Sequence, residues 1–322
     1  MSGGSLPGIE TQHASAGMLM TGAGKTRVIC LGLSALDQIW RVPAFFSGGS
    51  QKIRSLEYGT LGGGMAATAS VAVARLGGIA AFWGRGGDDA PGREMHAMLS
   101  REGVDVSRFR LFPDGQSSVS GILVDATGER QIVNFRGKFP EVADWLPLRE
   151  IESAAAVLAD PRWVDGAVAL FQAARGKAIP TVLDADVADT GVFETLLPLT
   201  DHAVFSEPAL SGFAGSAGDD ALAVVAGFGC TVSAVTRGAD GVSWLADDVI
   251  RRQPAYAVDA VDTTGAGDVF HGAYAFAIGA GLETADAMSF AAAAAALKCT
   301  RPGGRAGIPT LEDCLTFQRN GQ

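Results

Sequence analysis

Cysteine and histidine are scarce, at four each in 322 residues. Cys30, Cys230, Cys299 and Cys314 form no CxxC pair, and with so few histidines no zinc-ligand spacing appears. That argues against a structural zinc site or a disulfide scaffold, and a reduced, cytoplasmic protein is the simplest expectation. Positive charge is short as well. A formal net charge of −10 argues against general attraction to DNA, RNA or an anionic membrane. A nucleotide ligand stays open, because a pocket can present local amides and a few cations whatever the total charge. No uninterrupted apolar stretch reaches the roughly 18 residues of a membrane span. Residues 285–298 (ADAMSFAAAAAALK) are apolar but shorter than that, and suit a buried Ala-rich helix. Residues 1–25 are rich in Gly, Ser and Ala, lack the basic start and apolar core of a signal peptide, and are expected to form a flexible leader.

What is present is a large apolar fraction, 48% against 19% charged, which fits a packed chain and not a disordered one. The length suffices for one large α/β domain or two modest ones. Short β-like runs alternate with helical stretches, the pattern of a mostly parallel sheet covered by helices. Predicted strands cover 28–33, 80–84, 180–185, 202–206 and 231–236; predicted helices cover 64–76, 91–102, 163–175, 219–228, 267–280 and 284–298. Residues 39–60 and 116–137 break the alternation and read as strands joined by turns. The second runs SSVSGILVD, then the turn ATGE, then RQIVNFR, a hairpin signature. These two segments are expected to form a small β lid on an α/β core made of 26–38, 61–115 and 138–322.

The most informative segment is AVDTTGAGDVFHGAYAFAIGAGL at 260–282. A loop from Asp262 to Asp268 feeds directly into a helix. Gly265 and Gly267, with Ala266 between them, permit close backbone approach, so the amides of 265–268 can face an anion with the positive end of the helix behind them. That suits the negative charge of a transferring phosphoryl group. Asp268 stands at the rim, where a carboxylate can accept the proton of an attacking hydroxyl. A bare Gly-x-Gly-Asp is also a common turn with an acidic helix start. Here the string is longer, with Phe270 and Gly272 following, and sits late in an α/β chain. A competing pattern, Gly22-Ala23-Gly24-Lys25-Thr26, resembles the end of a P-loop. It has Leu19 where the pattern needs Gly, and it precedes a strand instead of following one.

Further segments appear in a fixed order: Gly32 with Asp37 and Val42; GGGMAATASVAVARLGG at 62–78; Gly87-Asp88-Asp89-Ala90-Pro91-Gly92; Val235-Thr236-Arg237-Gly238-Ala239-Asp240-Gly241; and Cys299-Thr300-Arg301-Pro302-Gly303-Gly304. With the 262–272 string, this series resembles the ribokinase-like (PfkB) carbohydrate kinase family. The resemblance implies a three-layer α/β/α core with a mostly parallel sheet and a small β-sheet lid, binding ATP and Mg²⁺. Asp268 is then the catalytic base, with Gly265, Ala266 and Gly267 in the anion loop. Asp37, Gly63, Gly64 and Thr68 fall on the sugar side, while Thr236, Arg237, Gly238, Gly241, Cys299 and Gly303 fall on the nucleotide side. Carbonyls around the Asp262–Thr264 turn and the 299–304 loop would hold a monovalent cation such as K⁺, with Asp262 its nearest carboxylate.

The chain departs from the family in two places. Ala67, beside Thr68, stands where an Asn usually contacts the sugar. The usual Asn-x-x-Glu reads Ser206-Glu207-Pro208-Ala209, which leaves Mg²⁺ to Glu207 in a shifted geometry, or to water with Asp184 or Asp186. The Gly-Gly-Gly-x-Ala-Ala-Thr-Ala run, Lys52, Asn134 and Asp160-Pro161-Arg162-Trp163 look like the sulfofructose kinase branch. Arg136 and Arg162 add guanidinium groups suited to a forked anion contact. Alternatives are a neutral ketose or pentose, a nucleoside, or a non-catalytic nucleotide or sugar sensor. An NAD-dependent dehydrogenase would need GxGxxG after the first strand, and Gly32-Leu33-Ser34-Ala35-Leu36-Asp37 does not supply it. The lid's exposed edges and apolar residues, including Ile122, Val124, Ile132 and Val133, point to a homodimer joined through the lids.

Overall fold

A computed structural model describes residues 7–320. In chain order it begins α1 (Pro7–Gly22), β1 (Arg27–Gly32), β2 (Ala35–Arg41), β3 (Glu57–Gly63), α2 (Met65–Arg75), β4 (Ile79–Gly87), α3 (Ala90–Arg101) and β5 (Asp105–Phe112). A hairpin, β6 (Val119–Val124) and β7 (Arg130–Phe135), precedes β8 (Ala156–Ala159), α4 (Val164–Arg175), β9 (Thr181–Ala185), α5 (Thr190–Leu196), β10 (His202–Ser206) and α6 (Glu207–Ala214). The remainder is α7 (Asp219–Ala226), β11 (Val232–Thr236), β12 (Val242–Ala246), β13 (Val249–Gln253), α8 (Ala266–Gly279), α9 (Thr284–Cys299) and α10 (Leu311–Asn320).

Nine strands form one sheet in the order β13-β12-β11-β10-β9-β8-β1-β4-β5. It is parallel from β11 to β5, and β12 and β13 close one edge as antiparallel strands. A sheet buried on both faces needs apolar residues of both parities, and β1 supplies them. Val28 and Cys30 face the layer of α2, α8 and α9, while Ile29 and Leu31 face the layer of α4 to α7. Both layers are dry: Phe82, Trp83, Phe171, Phe205 and Phe276 are each 0% exposed. Burying a side chain of that size contributes about 1.5–3 kcal/mol. The second sheet has four strands in the order β3-β2-β6-β7.

Several expectations need correction. Residues 7–22 are helical, not a flexible leader; Leu19 is buried in the α2/α8 layer, and Ser15 Oγ donates to Asp286 at 2.6 Å. Residues 1–6 lie outside the described residues. The core boundary placed at 38 falls inside β2, because Ala35 already pairs with Gly63 across the second sheet. Within 39–60, strand pairing stops at Arg41 and resumes at Glu57, and the Gly- and Ser-rich stretch between is irregular. The Gly22–Thr26 run joins the end of α1 to the start of β1, the reverse of a P-loop's order. All four cysteines are free thiols.

Candidate active site

Asp268 sits in the first turn of α8, whose N-terminus lies between two cavities. Gly265 caps this helix with φ 74°, a left-handed conformation that a side chain would strain. The Ala266 N–H is taken by the Thr263 carbonyl at 3.2 Å, while those of Gly267 and Asp268 have no acceptor among the described residues. The free donors that could face an anion are therefore in the first turn itself.

The first cavity, about 650 Å³, lies under the second sheet and is lined by Asp37, Gly64, Asn134, Arg136, Arg162 and Asp268 among others. Register explains one wall: Asp37 faces Ser120 across β2 and β6, and Ser120 faces Asn134 across β6 and β7. Asn134 Nδ2 donates to Ser120 Oγ at 3.1 Å, which orients the row. Burial pushes the Asp37 carboxyl up, opposed by its hydrogen bond from Ser120 and the charge of Arg305. The floor is organised by Asp160, which is fully buried. Its carboxylate accepts from the N–H of Leu33 (2.7 Å), Ala66 (3.1 Å) and Arg162 (2.9 Å), pinning the end of β1 to the start of α2.

The second cavity, about 580 Å³, is lined by Thr236, Gly238, Gly241, Phe270, Cys299 and the loop residues Ala266 and Gly267. Behind it Asp262 ties two loops together. Its Oδ1 accepts from the Thr264 N–H (2.9 Å), and its Oδ2 accepts from the N–H of Gly303 (3.1 Å) and Gly304 (3.2 Å). Lys298, 0% exposed, donates to the Asp262 carbonyl at 2.7 Å and lies 3.5 Å from Oδ2. Burial alone would push this carboxyl up; the hydrogen bonds from Thr264 and Gly304 and the Lys298 charge hold it well below the usual carboxylate range.

Asp268 is shifted the other way. Burial raises its pKa well above the usual value, and the charge of Asp184 raises it further. Asp184 is itself raised by burial and by Asp160 and Asp186, and its Oδ2 is buried with no partner. His271, one turn into α8, spans this region: Nδ1 faces the Gly267 carbonyl at 2.7 Å and lies 3.4 Å from Asp184, and Nε2 faces the Val204 carbonyl at 3.1 Å.

Not every expected residue stands at a cavity. Lys52, in the irregular stretch between β2 and β3, is exposed and lines neither. Thr68 is buried under Arg305, whose Nε donates to its Oγ1 at 3.2 Å. Gly63 is a spacer, since a Cβ there would collide with Asp37, and its carbonyl accepts from Arg305 Nη2 at 2.6 Å. Arg237 turns away from the nucleotide side to Ser243 Oγ (2.7 Å), the Ala217 carbonyl (2.6 Å) and Asp219 (3.2 Å), so it braces α7 against β12. Gly303 contributes its N–H to Asp262 instead of lining the second cavity. Glu207 is exposed at the start of α6 and lines neither cavity, and Asp184 is sealed against His271. Neither fits as a magnesium ligand, although Asp186 does line the first cavity. Among the described residues no cluster of His, Cys, Asp and Glu could hold a metal by itself.

Besides Lys298, two further buried cations carry no signal in the sequence. Arg85, at the end of β4, is 5% exposed and lies over the Trp163 ring at 4.4 Å, with Nη1 donating to the Pro140 carbonyl and to Glu141. Arg305 is 7% exposed between the glycine turn and α8; burial lowers its pKa to about 10 against the charges of Asp268 and Asp37.

The profile of the pfkB family carbohydrate kinases matches residues 25–311. The chain belongs to that family. It is accordingly an ATP-dependent carbohydrate kinase. Among curated relatives, a ribokinase of Haemophilus influenzae is 28% identical over 300 residues, covering 89% of this chain and 96% of its own. A fructokinase of Klebsiella pneumoniae is 32% identical over 232 residues, covering 65% of this chain and 74% of its own. A crystal structure from Agrobacterium tumefaciens, provisionally described as a ribokinase, superposes with a TM-score of 0.87 at 37% identity, covering 92% of this chain and 98% of its own. The ribokinase of Arabidopsis thaliana complexed with ribose and ATP has a TM-score of 0.82 at 24% identity, covering 91% and 98%, and shares the fold. The pfkB architecture accounts for the division into a large mostly parallel sheet and a smaller second sheet.

Proposed function

We propose that this pfkB kinase transfers the γ-phosphoryl group of ATP to a primary hydroxyl of a small sugar, with Asp268 as general base. One observation carries the reading: Asp268 lines the first cavity, while Ala266 and Gly267, immediately before it, line the second. An acceptor in the first cavity and a nucleotide in the second would bring hydroxyl and phosphate together at this carboxylate. Asp268 takes the hydroxyl proton as the phosphoryl group moves in line. The Gly267 and Asp268 amides oppose the charge on the moving group, and the second sheet keeps water from the acceptor. Mg²⁺ would supply charge neutralisation on the nucleotide's phosphates when bound.

The acceptor proposed is anionic, as in a sulfonated ketose such as sulfofructose. Arg162 is partly committed, donating to the Val187 carbonyl at 2.7 Å and lying 3.3 Å from Asp186. Arg136 lines the same cavity with no hydrogen bond or ion pair among the described residues, and it is the cation free for an acceptor's anionic group. A cytoplasmic location is supported by the four free thiols. A homodimer joined through the second sheets is supported by Ile132 and Val133, 61% and 74% exposed on the edge strand β7.

The reading is tested by ADP formation against a panel of neutral ketoses and pentoses, sulfonated sugars and nucleosides. Turnover with a sulfonated sugar, at a kcat/KM above that of its neutral counterpart, is expected. Preference for a nucleoside would replace the acceptor class. Measurable ATP binding with no turnover across the panel would favour a sensor.

A further inference from the structure

Lys298 is the one lysine among the fully buried side chains of the described residues, and no step of the proposed reaction uses it. It lies in the last turn of α9, where a cation is favoured by the helix's negative end. A buried ammonium is costly unless acceptors surround it. The acceptors given to Lys298 belong to a single residue, the carbonyl and carboxylate of Asp262. That same carboxylate gathers the N–H groups of Thr264, Gly303 and Gly304, and the Cys299 carbonyl accepts from the N–H of Val261 and Asp262. Lys298 therefore supplies the buried positive charge at the joint between the loop entering α8 and the loop leaving α9, while the more exposed Arg130 reaches the other oxygen of Asp262 at 3.6 Å.

This is the joint at which family resemblance placed an exchangeable monovalent cation. The residues here do not fit one. An ion bound to the Asp262 carbonyl would share that oxygen with an ammonium already 2.7 Å from it, and two cations held on one oxygen repel strongly where water is excluded. We propose that Lys298 is a positioning residue whose tethered ammonium takes the place of a free monovalent cation, so that the Thr263–Asp268 loop is set for phosphate without potassium. Because the charge is carried on the chain, it cannot be diluted away, and the loop's shape does not follow the salt composition.

The inference rests on the proposed kinase reading for the loop's purpose, and its test is independent of the acceptor. The affinity for Mg²⁺–ADP is measured by calorimetry, and the melting temperature separately, in tetramethylammonium, potassium and methylammonium chloride at equal ionic strength. The wild-type chain is expected to bind ADP with the same Kd, within about twofold, in all three salts. Lys298→Met should bind ADP about tenfold or more weakly in tetramethylammonium, the effect of losing a charged hydrogen bond. Potassium or methylammonium should restore much of that loss. Wild-type ADP affinity or melting temperature that rises saturably with potassium would overturn the inference. So would a Lys298→Met chain equal to wild type, or one that no cation rescues. If Lys298→Met does not fold, Lys298→Arg and the wild-type salt series decide it: cation-independent wild type supports it, and potassium-activated wild type sinks it. Absence of ADP binding in every chain would instead count against the kinase reading, and the melting temperatures would still test Lys298.

Discussion

Arg130, on the edge strand β7, donates through Nη1 to Thr264 Oγ1 at 2.8 Å, while its Nη2 lies 3.6 Å from Asp262. The second sheet thus touches the Asp262–Asp268 loop directly, at Asp262 Oδ1, whereas Lys298 lies against Oδ2 of the same carboxylate. An exposed ion pair of this kind contributes only about 0–1 kcal/mol to stability. Its effect is local order, since it links the sheet over the first cavity to the loop that enters α8. Arg130→Ala should leave the melting temperature nearly unchanged, while amide exchange across 262–268 speeds up roughly two- to fivefold. Hydrogen exchange read by mass spectrometry checks it, and unchanged protection there would remove the coupling.

Arg136 and Arg162 should separate in kinetics. With an anionic acceptor, Arg136→Ala should raise the acceptor's KM by about tenfold or more and leave the KM for ATP within twofold, because its guanidinium lines only the first cavity. Arg162→Ala should cost stability as well, since the same side chain holds the Val187 carbonyl and Asp186. Steady-state kinetics with both substrates varied distinguishes them. Equal effects on ATP and acceptor from Arg136→Ala would refute an anion pocket.

Asp262 gives a pH signature. Its folded pKa is depressed, so the stability it contributes is fully present above the unfolded value of about 3.9 and is lost only as pH falls below that. Asp262→Asn should therefore lower the melting temperature at pH 7, with the gap to wild type closing in acid below about pH 4. Melting curves across pH 3–8 measure this. A gap that stays constant down to pH 3 would mean that the carboxylate's charge is not what joins the two loops.

Much of this was legible in the chain. The strand at 202–206 and the two helices bounded by glycine at 64–76 and 267–280 are legible in the sequence, and the structure places β10, α2 and α8 within a residue of those limits. β8 is hidden because Ala156–Ala159 is four fully buried residues that follow two further alanines, too short for a period to show. β13 escaped because its residues Val249–Gln253 are largely exposed and charged. Richness in Gly, Ser and Ala disguises α1, for which Leu19 is the buried anchor among the side chains described. Within the site, the string from Asp262 to Asp268 announced itself because loop, charge and helix start are local in sequence. Arg85, Arg305 and Lys298 did not, because each acquires its partners only when segments far apart in sequence meet. Arg305 reaches Gly63 and Thr68, and nothing around it in sequence signals that contact. Arg237 falls on the nucleotide side by family resemblance alone, and sequence gives no sign that Ser243, Ala217 and Asp219 hold it in the fold.

Asp268 carries the proposed proton transfer. Its pKa is raised, so an ionised Asp268 beside Asp184 disfavours the folded state at neutral pH, and the fold gains stability as pH falls through that raised value. Asp268→Asn should accordingly be at least as stable as wild type at pH 7, and should bind ATP with unchanged affinity. The wild-type kcat/KM should fall on the acid side through an apparent pKa above the ordinary carboxylate value of about 4. The decisive measurement is kcat of Asp268→Asn alongside its ATP Kd, on protein shown by melting to be folded. A loss of about 10²–10⁴-fold in kcat with ATP affinity intact is the result expected for a general base acting in the transition state. Near-full kcat in the folded variant would place the base elsewhere and contradict the proposed mechanism.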